Sequence, residues 1–294
     1  MNYTIANQYL TVSIASLGGE LQSILGNDGT EYLWQGDANS WPDKALNIFP
    51  YVGRLTKGQY TYQGKNYNME IHGFLYRSEM KVEEHTEDSI CFVLEANEET
   101  LKQYPFLFTF RIRYLLIGKK IDIVFEVNNK DEKTMYFGVG GHPGFQVPNE
   151  EGLCFEDYYL EFRDAVHPMS IGMSDTCYVE GEDTELLLRG NRNLDLKQSL
   201  FNHDAIILRD MSKEVSLKSR GGKKEITVTY EKMNYLGVWN WPTKDVPYVC
   251  IEPWTSLPSR QDVIEDLEQQ NNLLTLKSNQ EYQNQWSIGI ENRA

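Results

Sequence analysis

Apolar and polar residues alternate with a period of two along much of the chain, the spacing of strands that bury one face against a core. The pattern is clearest where Phe106, Phe108, Phe110, Ile112, Tyr114 and Leu116 share one face of an extended run. A turn at Gly118-Lys119-Lys120 leads into Ile121, Ile123, Phe125 and Val127, alternating with Asp122 and Glu126, which predicts a hairpin. Further strands are expected around Leu10/Val12/Ile14, Tyr60/Tyr62, Val215/Leu217, Ile226/Val228/Tyr230 and Trp286/Ile288/Ile290, with Ser219-Arg220-Gly221-Gly222 as a turn between two of them. Helix is scarce: Glu98 to Tyr104 suits a short helix closed by Pro105, and Gln261 to Gln270 a short acidic one. Neither covers a sheet, so the strands are expected to form antiparallel sheets packed face to face. No Pro/Gly/Ser-rich linker, low-complexity tract or fixed-period repeat interrupts them, and residues 1–294 read as a single all-β domain.

Composition narrows the ligand more than the fold. A formal charge of -15 with no basic stripe predicts no nucleic-acid partner. Small neutral or cationic ligands fit better, although Arg54, Arg77 and Arg260 could still build a local positive pocket. Cys91, Cys154, Cys177 and Cys250 show neither C-x-x-C spacing nor a histidine at zinc-finger distance, and read as buried, reduced thiols. The start Met1-Asn2-Tyr3-Thr4-Ile5 lacks a basic segment followed by an apolar one, and no run approaches the ~18 to 20 apolar residues of a membrane span. A cytoplasmic protein without a membrane partner is expected.

The candidate chemistry centres on Gly140-Gly141-His142-Pro143-Gly144-Phe145, which follows the strand-like run Met135 to Val139 and reads as a rigid turn aiming an imidazole. Three companions stand beside Gly or Pro at expected strand ends: Arg54 after Gly53, His72 in Ile71-His72-Gly73-Phe74, and Glu252 in Val249-Cys250-Ile251-Glu252-Pro253-Trp254. Glu252 is the most telling, because a carboxylate closing an apolar run is costly to desolvate unless it is paired or functional. A purely structural reading makes the histidines turn residues and pairs Glu252 with an arginine, a role Arg54 suits as well as it suits a ligand clamp. Phe74, Phe145, Trp239, Trp241 and Trp254 lie near these residues in sequence, and their faces suit either a pyranose ring or a core. Gly138-Val139-Gly140-Gly141 lacks the third glycine of a dinucleotide fingerprint, and Gly221-Gly222-Lys223-Lys224 lacks the spacing of a phosphate loop. With no G-x-S-x-G and no H-E-x-x-H, no cofactor and no metal site are expected, and acid/base chemistry is the strongest remaining class.

Gly53-Arg54, His72-Gly73, His142-Pro143 and Cys250-Ile251-Glu252-Pro253 occur in an order and spacing that resembles aldose 1-epimerases, the galactose mutarotase-like proteins, over nearly the whole length. The resemblance implies a large antiparallel β-supersandwich with a few short helices, an open cleft for a small sugar, and cofactor-free interconversion of the α and β anomers of a hexose such as galactose or glucose. By that likeness Glu252 matches the general base that takes the anomeric hydroxyl proton. His142 matches the general acid that protonates the ring oxygen, and the open aldehyde then rotates and recloses. Arg54 and His72 match substrate-binding residues. Asp204, in Asn202-His203-Asp204-Ala205, matches a substrate-binding aspartate, and equally suits a turn cap.

Two departures bear on the sugar. Arg77 stands one residue later than the arginine that the sugar-6-phosphate branch carries after its H-G-F segment, and the histidine segment is G-G-H-P-G-F rather than N-H-x-Y-F. A hexose-6-phosphate epimerase using Arg54, Arg77 or Arg260 is therefore one alternative, and a non-catalytic carbohydrate-binding protein another. A glycoside hydrolase would need two flanking carboxylates. With unperturbed values of about 6.5 for histidine and about 4.3 for glutamate, the rate is expected to fall at low pH as Glu252 protonates and at high pH as His142 loses its proton. On this expectation a sugar lies between the two groups, and a profile flat from about pH 5 to 9 would contradict the assignment.

Overall fold

Two antiparallel sheets carry the architecture of the computed structural model, which describes residues 1–242 and 244–293. The larger runs in the order Asn193–Asp195, Tyr158–Phe162, Glu214–Ser219, Lys224–Thr229, Glu281–Asn292, Lys120–Asn129, Phe108–Ile117, Ser89–Glu95, Lys81–His85. The smaller runs Thr184–Glu185, Met169–Ser170, Ile206–Arg209, Tyr235–Trp239, Tyr248–Trp254, Gly140–Gln146, Ala45–Ile48. Three minor sheets flank them, one formed by Asn2–Ala6, Leu10–Ala15 and Leu21–Gly26. Antiparallel sheets packed face to face, as expected from the sequence, are what the chain forms. Both expected hairpins are present, Phe108–Ile117 with Lys120–Asn129 and Glu214–Ser219 with Lys224–Thr229. The long strand begins at Phe108, and Phe106 is buried just ahead of it.

The alternation in the sequence is what holds the two sheets together. Phe110, Ile112, Ile123, Phe125, Trp286 and Ile288 of the larger sheet form one buried cluster with Leu208, Leu236, Val238, Val249 and Ile251 of the smaller. Their neighbours Ile207, Cys250 and Trp254 point the other way and join two separate small clusters. Because successive side chains of a strand face opposite sides, the outer face of the smaller sheet presents Trp239, Glu252, Trp254 and His142 while its inner face is committed to the core.

The Gly140–Phe145 segment is not a turn. It is a strand, Gly140–Gln146, hydrogen-bonded between Tyr248–Trp254 and Ala45–Ile48. Its glycines are required by close approach: a Cβ on Gly141 would stand 2.4 Å from the Trp286 ring, one on Gly140 2.6 Å from Trp254, and one on Gly144 2.6 Å from Trp41. His142 and Glu252 accordingly sit inside strands, not at strand ends, whereas Arg54, His72 and Asp204 lie on connecting segments. The helix Glu98–Gln103 forms where expected, capped by Asn97, whose side chain accepts from the backbone of Glu99 and Thr100. Gln261 to Gln270 does not form a helix. Glu265–Asp266 runs parallel to Tyr60–Thr61 as a short strand, and the buried Glu265 carboxylate accepts three bonds from Arg260, a tie that holds this stretch extended.

Gly141→Ala is expected to destabilise the fold by about 1–3 kcal/mol, because the added methyl must displace a buried indole ring held between two sheets. Urea denaturation should show a lower midpoint with the slope unchanged.

Candidate active site

His142 and Glu252 meet because of strand register. Gly140 pairs with Trp254 and Gly144 with Cys250, so counting inward from both ends puts His142 directly opposite Glu252. The imidazole Nε2 lies 3.2 Å from Glu252 Oε2, and both residues are buried on the floor of the cleft. The contact is close without being an aligned hydrogen bond, a state common in unliganded acid/base sites. The Trp41 ring covers the imidazole at 4.9 Å, and the rings of Trp239 at 5.6 Å and His72 at 5.4 Å meet it edge-on. No ring can lie between two groups already in contact, so the expectation of a hexose sandwiched by them is not met: the pair opens to the cleft on one side only.

Desolvation sets the protonation of this pair. Burial pushes the Glu252 carboxyl well above the usual carboxylate range, with the charge of Asp204 adding to the effect. Burial also lowers His142 to about 4. Desolvation thus favours the neutral carboxyl and imidazole over the imidazolium and carboxylate expected from unperturbed values. The two forms differ by one proton transfer across the 3.2 Å contact. What changes is the acid limit: His142 gains a second proton for the pair only toward about pH 4.

The walls come from loops. His72 Nδ1 accepts from the Gly53 backbone N–H at 3.2 Å while the His72 N–H donates to the Gly53 carbonyl at 3.0 Å. An acceptor at Nδ1 leaves Nε2 to carry the proton of the neutral ring, and burial with the nearby His142 and Arg54 keeps His72 neutral, its value far below the ordinary one. Arg54 has no carboxylate within ion-pair distance among the described residues. Asp204 Oδ1 accepts from the Ala205 N–H at 2.9 Å, and Oδ2 lies 2.7 Å from Cys177 Sγ. His72, Cys177 and Asp204 all have left-handed backbones, with φ of 63, 67 and 74°, an arrangement uncommon outside glycine that clusters at functional sites.

All five residues singled out in the sequence, Arg54, His72, His142, Asp204 and Glu252, line one cleft of about 280 Å³. Trp239 and Trp254 line it too, while Phe74 and Phe145 belong to the core and Trp241 packs behind Trp239. Arg77 reaches the cleft but is paired with Glu70, and Arg260 is held by Glu265 away from it. Trp41, Asp43, Tyr76, Met173 and Cys177 also line the cleft and carried no local signal. For Trp41 one trace exists, a large apolar residue inside the turn-like Asn39-Ser40-Trp41-Pro42. All four cysteines are unpaired, but only Cys91 and Cys250 are buried, contrary to the expectation for Cys154 and Cys177. His142, Cys250 and Glu252 offer ligand atoms within 4.8 Å of one another. Burial holds the Cys250 thiol far above its ordinary value, so as a metal ligand it would first have to give up a tightly held proton.

The family model of the aldose 1-epimerases matches residues 1–288. The chain belongs to the aldose 1-epimerase family. Among its relatives is the chromosomal protein LacX of Lactococcus lactis subsp. lactis, 37% identical over 288 residues that cover 94% of this chain and 96% of LacX. A galactose mutarotase related enzyme from Lactobacillus acidophilus superposes with a TM-score of 0.94 at 35% identity, covering 100% of this chain and 98% of that one. The galactose 1-epimerase of Lactobacillus acidophilus NCFM, at 14% identity and a TM-score of 0.74 over 100% of this chain and 95% of its own, shares the fold. Among the described residues of this aldose 1-epimerase family member no helix is long and apolar enough to cross a membrane.

The buried histidine carries a linkage that can be measured. Its folded value of about 4 lies below its ordinary 6.5, so its contribution to stability is complete above pH 6.5 and is lost as pH falls toward 4. The loss is roughly 3 kcal/mol. His142→Gln should flatten the acid side of a plot of melting temperature against pH over that interval. Glu252 runs the opposite way: its raised value contributes stability that is complete below the ordinary carboxylate range and is lost as pH rises from that range, so Glu252→Gln should flatten the decline that sets in above it.

Proposed function

We propose that this protein is an aldose 1-epimerase that interconverts the anomers of an unphosphorylated hexose. The observation that carries the reading is the His142–Glu252 contact of 3.2 Å on the floor of a cleft sized for one small ligand. Mutarotation asks for a base at the anomeric hydroxyl and an acid at the ring oxygen, and these two oxygens are bonded to the same carbon. Two neighbouring proton-transfer groups facing the same way match that demand. In the productive tautomer Glu252 accepts the hydroxyl proton while His142 protonates the ring oxygen and the C1–O5 bond opens. After rotation about C1–C2 the aldehyde recloses with the roles reversed. His72 offers a donor through Nε2, Arg54 offers the cation that steadies charge on the opening ring, and Asp204 accepts from sugar hydroxyls.

The charges of the cleft favour a neutral sugar. Arg77 is occupied by Glu70 and Arg260 by Glu265, so Arg54 is the one guanidinium of the three named candidates left for a phosphate, and Asp43 and Asp204 line the same space. A binder without turnover would have no need of two ionisable groups desolvated together, an arrangement that costs stability. The cytoplasmic location belongs to the same reading, which calls for no metal, cofactor or membrane.

Polarimetry of freshly dissolved α-galactose, α-glucose and their 6-phosphates tests this directly. His142→Ala and Glu252→Ala should each slow equilibration of the free hexoses by about 10² to 10⁴-fold with the fold intact. Arg77→Ala should leave the free-hexose rate near wild type. Variants that equilibrate galactose and glucose at the wild-type rate would refute the acid/base pair, and a strong preference for the 6-phosphates abolished by Arg77→Ala would refute the neutral substrate. The pH profile is a second test. kcat/KM should fall toward about pH 4, where His142 gains a second proton for the pair, and its upper limb should follow ionisation of the raised Glu252 carboxyl rather than loss of a proton from an ordinary imidazolium. A narrow bell between the ordinary values of about 4.3 and 6.5 would contradict it.

A further inference from the structure

Cys177 lies 27 residues before Asp204 in the chain, yet its Sγ stands 2.7 Å from Asp204 Oδ2, and both residues line the cleft. The turn that carries it is fixed from two sides. The Cys177 N–H donates to the Ser174 carbonyl at 3.0 Å, and the hydroxyls of Ser174 and Thr176 both donate to Gln261 Oε1, at 2.8 and 2.9 Å. Val179 continues the clamp through its N–H to the Ser259 carbonyl at 3.0 Å. A thiol supported in this way has a defined position rather than a range of them.

Asp204 needs such a partner. It follows a turn with a left-handed backbone, φ 74°, and its Oδ1 is held only by the N–H of the next residue, Ala205. One bond to an adjacent amide leaves the carboxylate free to swing about that point. We propose that Cys177 is a positioning residue for sugar binding: its S–H donates to Asp204 Oδ2 and locks the carboxylate plane in the orientation that accepts hexose hydroxyls. The inference rests on the reading of Asp204 as sugar-binding. Burial, with the bond to Asp204 and its charge, pushes the thiol up to about 12, while Arg54 on its other side pulls the opposite way. The sulfur therefore keeps its proton through the neutral range and acts as a donor rather than as a nucleophile.

Polarimetric kinetics on α-galactose and α-glucose, with binding followed in parallel by the fluorescence of the cleft tryptophans, test the role. Cys177→Ala should raise KM and the dissociation constant about tenfold, the effect of removing one hydrogen bond to a charged group, with kcat changed by less than about twofold. Cys177→Ser, which restores an O–H donor, should recover most of the affinity and serves as the folding control. In an Asp204→Ala background Cys177→Ala should add nothing, because the group it positions is gone. Unchanged binding in Cys177→Ala, failure of Cys177→Ser to rescue, or additive effects in the double variant would each overturn the proposal. A wild-type chain that binds hexose without epimerising it would refute the function proposed above and still leave the Cys177 comparison readable in the dissociation constants. Asp204→Ala binding as tightly as wild type would overturn the positioning role itself.

Discussion

One contact sets the terms for the rest of the molecule: a buried imidazole and a buried carboxyl 3.2 Å apart. Two ionisable groups cannot be left side by side in a dry place unless neighbouring structure fixes them, since each alone would relax toward solvent. Here the fixing is done by backbone. The register of Gly140 on Trp254 and Gly144 on Cys250 leaves His142 and Glu252 no other partner across the strand gap, and the inner faces of the same strands are committed to the core shared with the larger sheet. Slipping either strand by one residue would turn its own member of the pair toward that core, which the apolar packing of Val249 and Ile251 forbids. The burial that makes the pair expensive is therefore part of the same alternation that makes the sandwich stable.

The glycines around His142 follow from the aromatic rings that enclose it. Trp41, Trp254 and Trp286 each lie over a strand residue that has no side chain, and each indole occupies the volume a Cβ would take. On the cleft face the Trp41 and Trp239 rings lie against the imidazole, and burial of the pair moves the two proton affinities in opposite directions. Packing and proton chemistry are in this respect a single property of the site.

That distinction explains what could be read in the sequence. Alternation in Phe108–Ile117 and Lys120–Asn129 declared the sandwich because period two has one structural meaning over that length. His142 and Glu252 stood out because glycines, a proline and an apolar run surround them, and those are signals written in neighbouring positions. The same glycines misled as to conformation: Gly and Pro in series look like a turn, and only the distant tryptophans reveal that their purpose is space. Gln261 to Gln270 misled for a similar reason, since its acidic, helix-compatible residues are overruled by Arg260 and by pairing with Tyr60–Thr61. Asp43 and Cys177 were not legible at all, and Trp41 only as an apolar residue in a turn-like segment, because a wall residue delivered by a loop needs no local pattern to reach a cleft.

The division between floor and walls also bears on how such a site can change. The proton-transfer pair sits on strands whose geometry is fixed by hydrogen bonds on both edges and by packing beneath. His72, Cys177 and Asp204, with their left-handed backbones, sit on turns held by a few local bonds, such as those of His72 to Gly53 and of Cys177 to Ser174. Altering a turn moves a hydroxyl contact without disturbing strand register, whereas altering the floor disturbs both sheets. Loop substitutions can thus reshape the walls of the cleft while the His142–Glu252 contact stays put.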